Sequence, residues 1–189
     1  MAEHVCPWWF CYTFDNPLRR LVQDPVSTLK PFVQPGQTAL DLGCGMGYFT
    51  LGLANLVGEG GRVVSVDLQD KMLAALKRRA AKQGLARRIE PRRCSTDSLG
   101  IEDLRGQVDF ALAFWMLHEV PGRVGFVRQV AASLRPEGSF LVVEPKFHVR
   151  QADFAAELDL MVGQGWEVLE RPAIWGSHAA LLRPLRQAA

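Results

Sequence analysis

Cysteine is scarce in this sequence, and long apolar runs are absent from it. Only four cysteines, Cys6, Cys11, Cys44 and Cys94, occur in 189 residues, too few and too scattered for a disulfide scaffold. No apolar run reaches the roughly 18 residues of a membrane helix, and the N-terminus lacks the residue order of a signal peptide. We therefore expect free thiols, no membrane partner and a cytoplasmic protein.

Paired metal ligands are lacking as well. His4, Cys6 and Cys11 lie close together in the sequence, but zinc sites usually combine two close pairs and no second pair follows. We predict that the protein holds no metal. The alternative, that these three residues bind one, stays open at this point.

The net charge is only +2, but basic residues are unevenly distributed. Residues 77–93, the basic stripe, contain one acid, Glu90, and eight basic residues: Lys77, Arg78, Arg79, Lys82, Arg87, Arg88, Arg92 and Arg93. Such a stripe could contact phosphate groups. It could also be a solvated helix face followed by an edge strand that arginines keep soluble. Because no nucleic-acid-binding module accompanies it, we favour the second interpretation.

Short apolar runs alternate with helical patterns from residue 38 onward. The runs predict strands at 38–42, 62–68, 89–94, 108–115 and 138–145, and the patterns predict helices at 48–58, 70–84, 122–134 and 151–165. Such alternation favours parallel strands joined by right-handed crossovers. Two further extended runs, 166–174 and 177–185, predict a hairpin. We predict a doubly wound α/β fold with a mostly parallel seven-stranded sheet, helices on both faces and a C-terminal antiparallel strand.

A glycine-rich turn directly follows the first predicted strand. Gly43, Gly45 and Gly47 alternate there, and glycine lets the backbone turn sharply and a ligand approach closely. In an open α/β sheet this turn is where a nucleotide-like ligand binds. Asp67 ends the second strand 20 residues after Gly47, about the offset at which an acid reaches ribose hydroxyls.

The dinucleotide fingerprint G-x-G-x-x-G is incomplete, because its third glycine would fall at position 48, which is Tyr48. Asp41 lies two residues before the turn, where a carboxylate would repel a pyrophosphate and attract a cation. We therefore expect a nucleoside that bears a positive, amino-acid-like arm, and we expect NAD not to bind.

Four segments, in this order, resemble the motifs of class I S-adenosylmethionine-dependent methyltransferases over about residues 36–183. They are "LDLGCGMGYFT", "VVSVDLQ", "VDFALAFWMLHEV" and "LRPEGSFLVVEP". The resemblance implies S-adenosylmethionine as the cofactor. It also implies a set of cofactor contacts: Asp41, Gly43, Cys44, Gly45 and Gly47 at the methionine arm, Asp67 at the ribose, Leu68 at the adenine, and the Phe114 backbone.

Members of this family often have an acidic residue near the adenine amino group. Here Asp97 is the first candidate for that contact, and Ser95 is the second. The alternative is that Asp97 only caps the following helix.

The class of methyl acceptor is indicated by a sequence motif that this chain lacks. Amino-methylating branches of the family often carry Asn- or Asp-Pro-Pro-aromatic after strand four, whereas this chain has "FWMLHEV", which resembles the small-molecule branch. His118 is then a candidate catalytic base, needed if the acceptor must lose a proton, although it could be purely structural. Glu144 is a candidate substrate contact, and His148 and His178 are weaker ones. An RNA methyltransferase that uses the basic stripe and a non-catalytic cofactor-binding protein are the alternatives.

The N-terminus is rich in aromatic residues. Residues 6–14 read "CPWWFCYTF", and this much ring surface needs a partner. We hypothesise that Trp8, Trp9, Phe10 and Tyr12 form a lid over the acceptor site against Trp115. Residues 1–35 would then be an arm of the same domain as the cofactor-binding residues 36–189. The alternative is that these rings pack on the outside of the sheet or form a homodimer contact.

Overall fold

The computed structural model describes residues 23–185, and the chain divides into two compact units, one ending at Cys94 and one beginning at Ser95. All strands and helices predicted for this range are present. Most boundaries fall within two residues of the prediction. The exceptions are the fifth predicted strand, which begins at Leu134 rather than at residue 138, and the sixth, which ends at Glu170 rather than at residue 174.

In its described residues, 23–94, the first unit holds three parallel strands and three α-helices. The strands are β1 (Thr38–Leu42), β2 (Arg62–Asp67) and β3 (Ile89–Arg93), and the helices are α1 (Pro25–Leu29), α2 (Tyr48–Val57) and α3 (Asp70–Lys82). The strand order is β3-β2-β1, and the registers place Leu40 beside Val64 and Val64 beside Glu90.

Helix α3 forms because its apolar residues recur on one face. Met72, Leu73, Leu76 and Ala80 are buried as the pattern predicted. Arg79 and Lys82 lie in the last turn, where positive charges interact favourably with the helix dipole. Gly84, with φ of 71°, follows the helix, and glycine adopts this left-handed conformation without a Cβ clash.

Strand β3 lies at one edge of the sheet, as predicted from its proline. Pro91 pairs with Ser65 of β2. Arg92 binds Glu90 within the strand at 2.7 Å, and Arg93 reaches Asp70 of α3 at 2.9 Å. Charged side chains therefore line this edge.

Sequence reasoning missed helix α1, although its signals are present. Asp24 caps the helix by accepting a hydrogen bond from the Ser27 amide at 2.8 Å, and Pro25 occupies the first helical position, both typical of helix starts. Pro25 packs against Gly52 of α2, where an added Cβ would come within 2.6 Å of the proline ring. Residues 23–35 are the described part of the predicted N-terminal arm, 1–35.

Over residues 95–185, the second unit has four strands and two α-helices. The strands are β4 (Val108–Phe114), β5 (Leu134–Pro145), β6 (Trp166–Glu170) and β7 (Ser177–Pro184), and the helices are α4 (Arg123–Ser133) and α5 (Gln151–Gly163). β4 and β5 are parallel, whereas β7 is antiparallel to both β5 and β6.

Strand β5 begins four residues earlier than predicted. Its register with β4 shifts between Val108 and Phe110, so the extra residues form an irregularity beside the strand start. Gly138 fits there because an added Cβ would lie 2.8 Å from the Val108 carbonyl oxygen. Pro136 and Gly138 lie in this segment, and both residue types are more typical of turns than of strand interiors.

The seven strands form one mixed sheet in the order β3-β2-β1-β4-β5-β7-β6. The predicted α/β class, mostly parallel sheet and antiparallel C-terminal strand are confirmed. Among residues 23–185, no helix is both long and apolar enough to cross a membrane.

Candidate active site

The glycine turn of the first unit connects β1 to α2. All three glycines are left-handed, and Gly47, with φ of 86°, starts the helix. An added Cβ at Gly47 would lie 2.3 Å from Leu76 Cδ1 of α3, whereas one at Gly45 would meet nothing within 4 Å. Gly47 is therefore needed for packing, and Gly45 leaves open space in which a ligand could approach the backbone.

Asp67, the predicted ribose ligand, holds this turn in place. Its Oδ2 accepts a hydrogen bond from the Gly45 amide at 2.8 Å, and its Oδ1 accepts one from the Gln69 amide at 2.8 Å. The residue is 8% exposed, and burial raises its pKa while these amide bonds oppose the rise. Each carboxylate oxygen retains a second acceptor site, so the turn and a ribose hydroxyl could share this side chain.

Asp41 is buried at the end of β1, with 3% of its surface exposed. Thr50 of α2 donates its hydroxyl to Asp41 Oδ2 at 2.5 Å, and Ser65 of β2 donates to Thr50 at 3.3 Å. Burial raises the pKa of Asp41 to about 7, the Thr50 hydrogen bond opposes this, and the charge of Asp67 adds to it. A nearby cation would favour the ionised form, as expected for a contact with the methionine arm.

Thr50 and Ser65 were missed from the sequence. Their signal was weak but real, because each is a hydroxyl within an otherwise apolar element.

Cys44 and Cys94 are both free thiols among the described residues, as predicted. Cys44 is buried in the turn, and its amide donates to the Val66 carbonyl at 3.0 Å. Burial raises its pKa well above the usual range, and raises that of Cys94 to about 11. Both thiols are therefore protonated and unreactive near neutral pH. Leu68 is half-buried directly after β2.

Ser95 and Asp97 are exposed on a turn of the second unit. Ser95 Oγ accepts a hydrogen bond from the Ser98 amide at 3.0 Å, and the Asp97 carbonyl accepts one from Gln129 at 3.2 Å. The next helical turn starts at Glu102 with Ile101 as its cap, so the alternative that Asp97 caps a helix is wrong. The adenine contact stays a prediction.

His118 and Glu144 meet in the second unit. His118 lies on the 3₁₀ turn Leu117–Glu119 after β4, and Glu144, 0% exposed, lies in β5. His118 Nδ1 is 2.5 Å from Glu144 Oε2, and the His118 amide donates to Glu144 Oε1 at 3.3 Å. The sequence had placed both residues at the acceptor site without predicting this bond.

The imidazole of His118 is set up to hold a proton. Burial alone would lower its pKa, but the hydrogen bond and charge of Glu144, followed by the charges of Glu119 and Glu157, raise it above the usual value. Since Nδ1 is bound to Glu144, the other ring nitrogen, Nε2, is the one that can exchange a proton with a ligand. Glu119 Oε1 lies 3.9 Å from that nitrogen.

The two weaker histidine candidates, His148 and His178, make different contacts. The His148 ring lies 4.8 Å from the His118 ring, centroid to centroid. His178 is opposite Glu144 in the β5–β7 ladder, but its ring stacks on Phe154. No group within residues 23–185 could hold a metal ion, and His4, Cys6 and Cys11 lie outside that range.

Trp115 follows β4 in a left-handed conformation, with φ of 59°. This conformation is costly for a residue with a side chain, of order 1–3 kcal/mol. It is held by the Trp115 amide, which donates to Val143 at 2.7 Å, and by the indole nitrogen, which donates to Ser177 Oγ at 3.0 Å. Its ring lies edge-on to Phe147 and tilted against Phe114. The predicted lid residues Trp8, Trp9, Phe10 and Tyr12 lie outside the described residues.

Half of the basic stripe is engaged within the first unit. Arg79 donates to the Met46 carbonyl, and Arg88 donates to the Ala54 carbonyl. Arg92 and Arg93 bind the carboxylates described above. The other four residues, Lys77, Arg78, Lys82 and Arg87, are exposed. This arrangement matches the interpretation of a solvated helix face followed by an edge strand.

Comparison with known proteins identifies the class that this fold and glycine turn define. A structure of a SAM-dependent methyltransferase from Aquifex aeolicus superposes with a TM-score of 0.83 at 22% identity, over 94% of this chain and 98% of that one. A SAM-dependent O-methyltransferase from Thermotoga maritima superposes with a TM-score of 0.67 at 17% identity, over 88% and 66%. These likenesses show the α/β methyltransferase fold.

Residues 39–138 match the model of a methyltransferase domain. The chain therefore belongs to the methyltransferase domain family, and S-adenosylmethionine is the cofactor that this membership indicates. A curated demethylmenaquinone methyltransferase of Bacillus cereus is 30% identical over 112 residues, which is 59% of this chain and 46% of that protein. The chain thus spans about half the length of the curated relatives it matches.

Proposed function

We propose that this protein transfers the methyl group of S-adenosylmethionine to a small-molecule acceptor that gives up a proton to His118. The observation that carries the proposal is the short contact between His118 Nδ1 and the fully buried Glu144. The name of the curated relatives, demethylmenaquinone methyltransferase, supports a small acceptor.

The cofactor would be held by the first unit. Asp67 would accept hydrogen bonds from the ribose hydroxyls, and Asp41 would attract the cationic methionine arm. S-Adenosylmethionine supplies a methyl group on a positively charged sulfur, which makes the methyl carbon open to displacement.

The acceptor would be activated by the second unit. His118 Nε2 would take the proton of the acceptor as the new bond to the methyl carbon forms and the carbon–sulfur bond breaks. The sulfur would leave as a neutral thioether, and Glu144 would stabilise the imidazolium of His118 that results. This role for the histidine requires an acceptor with an acidic hydrogen, such as a phenol or a hydroquinone.

The experiment is a screen of phenols and hydroquinones with the purified full chain and methyl-labelled cofactor. His118→Gln should lower methyl transfer by about 10²- to 10⁴-fold, the usual contribution of a general base. Calorimetry should show that the variant still binds S-adenosylmethionine and that NAD does not bind. Transfer by His118→Gln within threefold of wild type would exclude the histidine as the base.

The same assays separate the two alternatives. A cofactor-binding protein without catalysis would bind S-adenosylmethionine and show no turnover across the acceptor panel. An RNA methyltransferase would bind RNA with an affinity that falls steeply with salt, and Lys77→Gln with Arg78→Gln would reduce that affinity.

A further inference from the structure

Arg123, the first residue of α4, binds the turn that carries His118. Its Nε donates to the Leu117 carbonyl at 3.4 Å, and its Nη2 donates to the His118 carbonyl at 3.2 Å. These are successive carbonyls of the 3₁₀ turn. A planar guanidinium can bridge two acceptors in a fixed geometry, which an ammonium group cannot do. Arg123 therefore limits how far this turn can rotate.

Glu157 of α5 lies on the other side of Arg123. Its Oε1 is 3.6 Å from Arg123 Nη2, and the glutamate is only 6% exposed. Its Oε2 is buried and has no hydrogen-bond partner among the described residues. Burial raises the pKa of Glu157 to about 7 and the charge of Glu144 adds to this, while Arg123 and His118 oppose it.

A buried carboxylate with an unsatisfied oxygen destabilises a fold, and such groups in native proteins call for an explanation. An apolar side chain of similar size at position 157 would avoid the cost. The residue is therefore better explained by what its charge does to its neighbours.

We propose that Arg123 and Glu157 are positioning residues for His118. Arg123 fixes the turn so that Nδ1 stays on Glu144 and Nε2 stays presented to the acceptor. Glu157 contacts Arg123 and, when ionised, adds its negative charge to those of the other carboxylates around the imidazole. The inference rests on the proposed function, in which His118 is the base.

Among the described residues, the charged groups around His118 come from several elements. Glu144 comes from β5, Glu119 from the turn itself, Arg123 from α4 and Glu157 from α5, and the imidazole of His148 follows β5. Three carboxyl groups thus face one guanidinium and two imidazoles. Removing the charge of one carboxyl group should make the imidazolium of His118 less stable.

The test is nitrogen NMR of the histidine rings in the full chain, with the His118 signal assigned from its loss in His118→Gln. Glu157→Gln should lower the titration midpoint of His118 by roughly 0.5 pH unit, the scale of one partly screened charge. Arg123→Lys keeps the positive charge but cannot bridge both carbonyls. It should leave the midpoint within about 0.2 pH unit and reduce the fraction of the Nδ1-protonated tautomer.

Matched controls lie on the same two helices. Asp159→Asn removes an exposed carboxylate from α5, and Arg128→Lys alters an arginine of α4 that binds Gln164. Both should leave the His118 signals at their wild-type positions. The proposal is overturned if His118 has the same titration midpoint in Glu157→Gln as in Asp159→Asn. It is also overturned if His118 has the same tautomer distribution in Arg123→Lys as in Arg128→Lys.

The outcome is separable from that of the proposed function. These NMR readouts need no acceptor, so they report on positioning even if His118→Gln retains methyl transfer. Should Glu157→Gln fail to fold, Arg123→Lys and Arg123→Gln decide. Both variants should reduce the fraction of the Nδ1-protonated tautomer of His118. Only Arg123→Gln, which removes the positive charge, should raise the titration midpoint of His118.

Discussion

Asp41, Asp67 and Glu157 are buried carboxyl groups whose pKa values all rise on folding. Burial is the largest cause at each residue, so each carboxyl favours its neutral form in the folded protein more than in the unfolded chain. Between the ordinary pKa of Asp41, 3.8, and its folded value of about 7, the folded state keeps a proton that the unfolded state has released. Stability from this residue is therefore full below about pH 4 and is lost as the pH rises through 7.

We expect Asp41→Asn to flatten this pH dependence. The wild-type free energy of unfolding, measured with urea, should fall between about pH 4 and pH 7, and that of the variant should fall less because asparagine cannot ionise. The difference is a few kcal/mol, roughly 4 at most. Asp159→Asn, at an exposed acid, should keep the wild-type slope, and an Asp41→Asn slope equal to it would contradict the assigned pKa.

Asp41 also predicts a proton released on cofactor binding. A cationic methionine arm should favour the carboxylate and lower the pKa of Asp41, so binding near pH 6 should expel a proton and affinity should rise toward pH 8. Calorimetry in buffers of different ionisation enthalpy measures this proton. The demethylated product keeps the amino group and lacks the sulfonium, so comparing the two ligands identifies which cation Asp41 senses. Asp41→Asn should release no proton with either ligand.

Asp67→Ala should weaken cofactor binding by about 1 to 3 kcal/mol, because a charged hydrogen-bond partner is removed. The variant should also loosen the glycine turn, since Asp67 holds the amides of Gly45 and Gln69. Asp70→Ala, at an exposed acid three residues away, serves as the control. Wild-type affinity in Asp67→Ala would mean that the ribose is held elsewhere.

At the scale of helices and strands, sequence periodicity was sufficient for most of the fold. The seven strands and four longer helices were predictable because their apolar residues repeat with the period of a strand or helix. The early start of β5 was not, because it depends on pairing with Val108 far away in the sequence. The pattern of residues within one segment does not show which distant strand residue that segment pairs with.

The residues of the candidate active site also divide into those that local sequence spacing could locate and those that it could not. Asp41, Asp67 and the glycines could be located from spacing along one strand–turn–helix segment. The contacts of Asp41 with Thr50 and of His118 with Arg123 depend on distances between different elements. No spacing rule reports them, so sequence reasoning named His118 and Glu144 but not the residues around them.

Within the strand–turn–helix element, Gly47→Ala should destabilise the protein by about 2 to 4 kcal/mol. The estimate combines the cost of a left-handed alanine with that of a clash against Leu76. Gly45→Ala shares the left-handed backbone but points into open space, so it should cost only about 1 to 2 kcal/mol. Urea unfolding measures both, and equal losses would mean that Leu76 moves aside without cost.

At the scale of the whole chain, the aromatic N-terminus is the part whose role the described residues leave to experiment. We expect deletion of residues 1–12 to leave the fold and much of the cofactor affinity intact and to abolish methyl transfer, because a lid excludes water from the acceptor site. Circular dichroism, calorimetry and the labelled-methyl assay test the three parts.

Trp8→Ala with Trp9→Ala is the milder form of the same change. If the deletion unfolds the protein, the N-terminal segment is part of the core. If it dissociates a dimer and leaves methyl transfer intact, the segment is a subunit contact. Either result would reject the lid and the division of the chain into an arm at 1–35 and a cofactor domain at 36–189.

Strand β3 bears on how the protein behaves when it is concentrated. An exposed sheet edge can recruit a strand from another molecule and so begin fibril growth. Pro91 has no amide hydrogen to offer such a strand, and the Glu90–Arg92 and Asp70–Arg93 pairs surround it with charge. If two molecules paired along this edge, those charges would lose water, and the hydrogen-bond ladder between the strands would lack the bond that Pro91 cannot donate. Replacing Pro91, Arg92 and Arg93 with valine should therefore make this edge a site at which the protein aggregates.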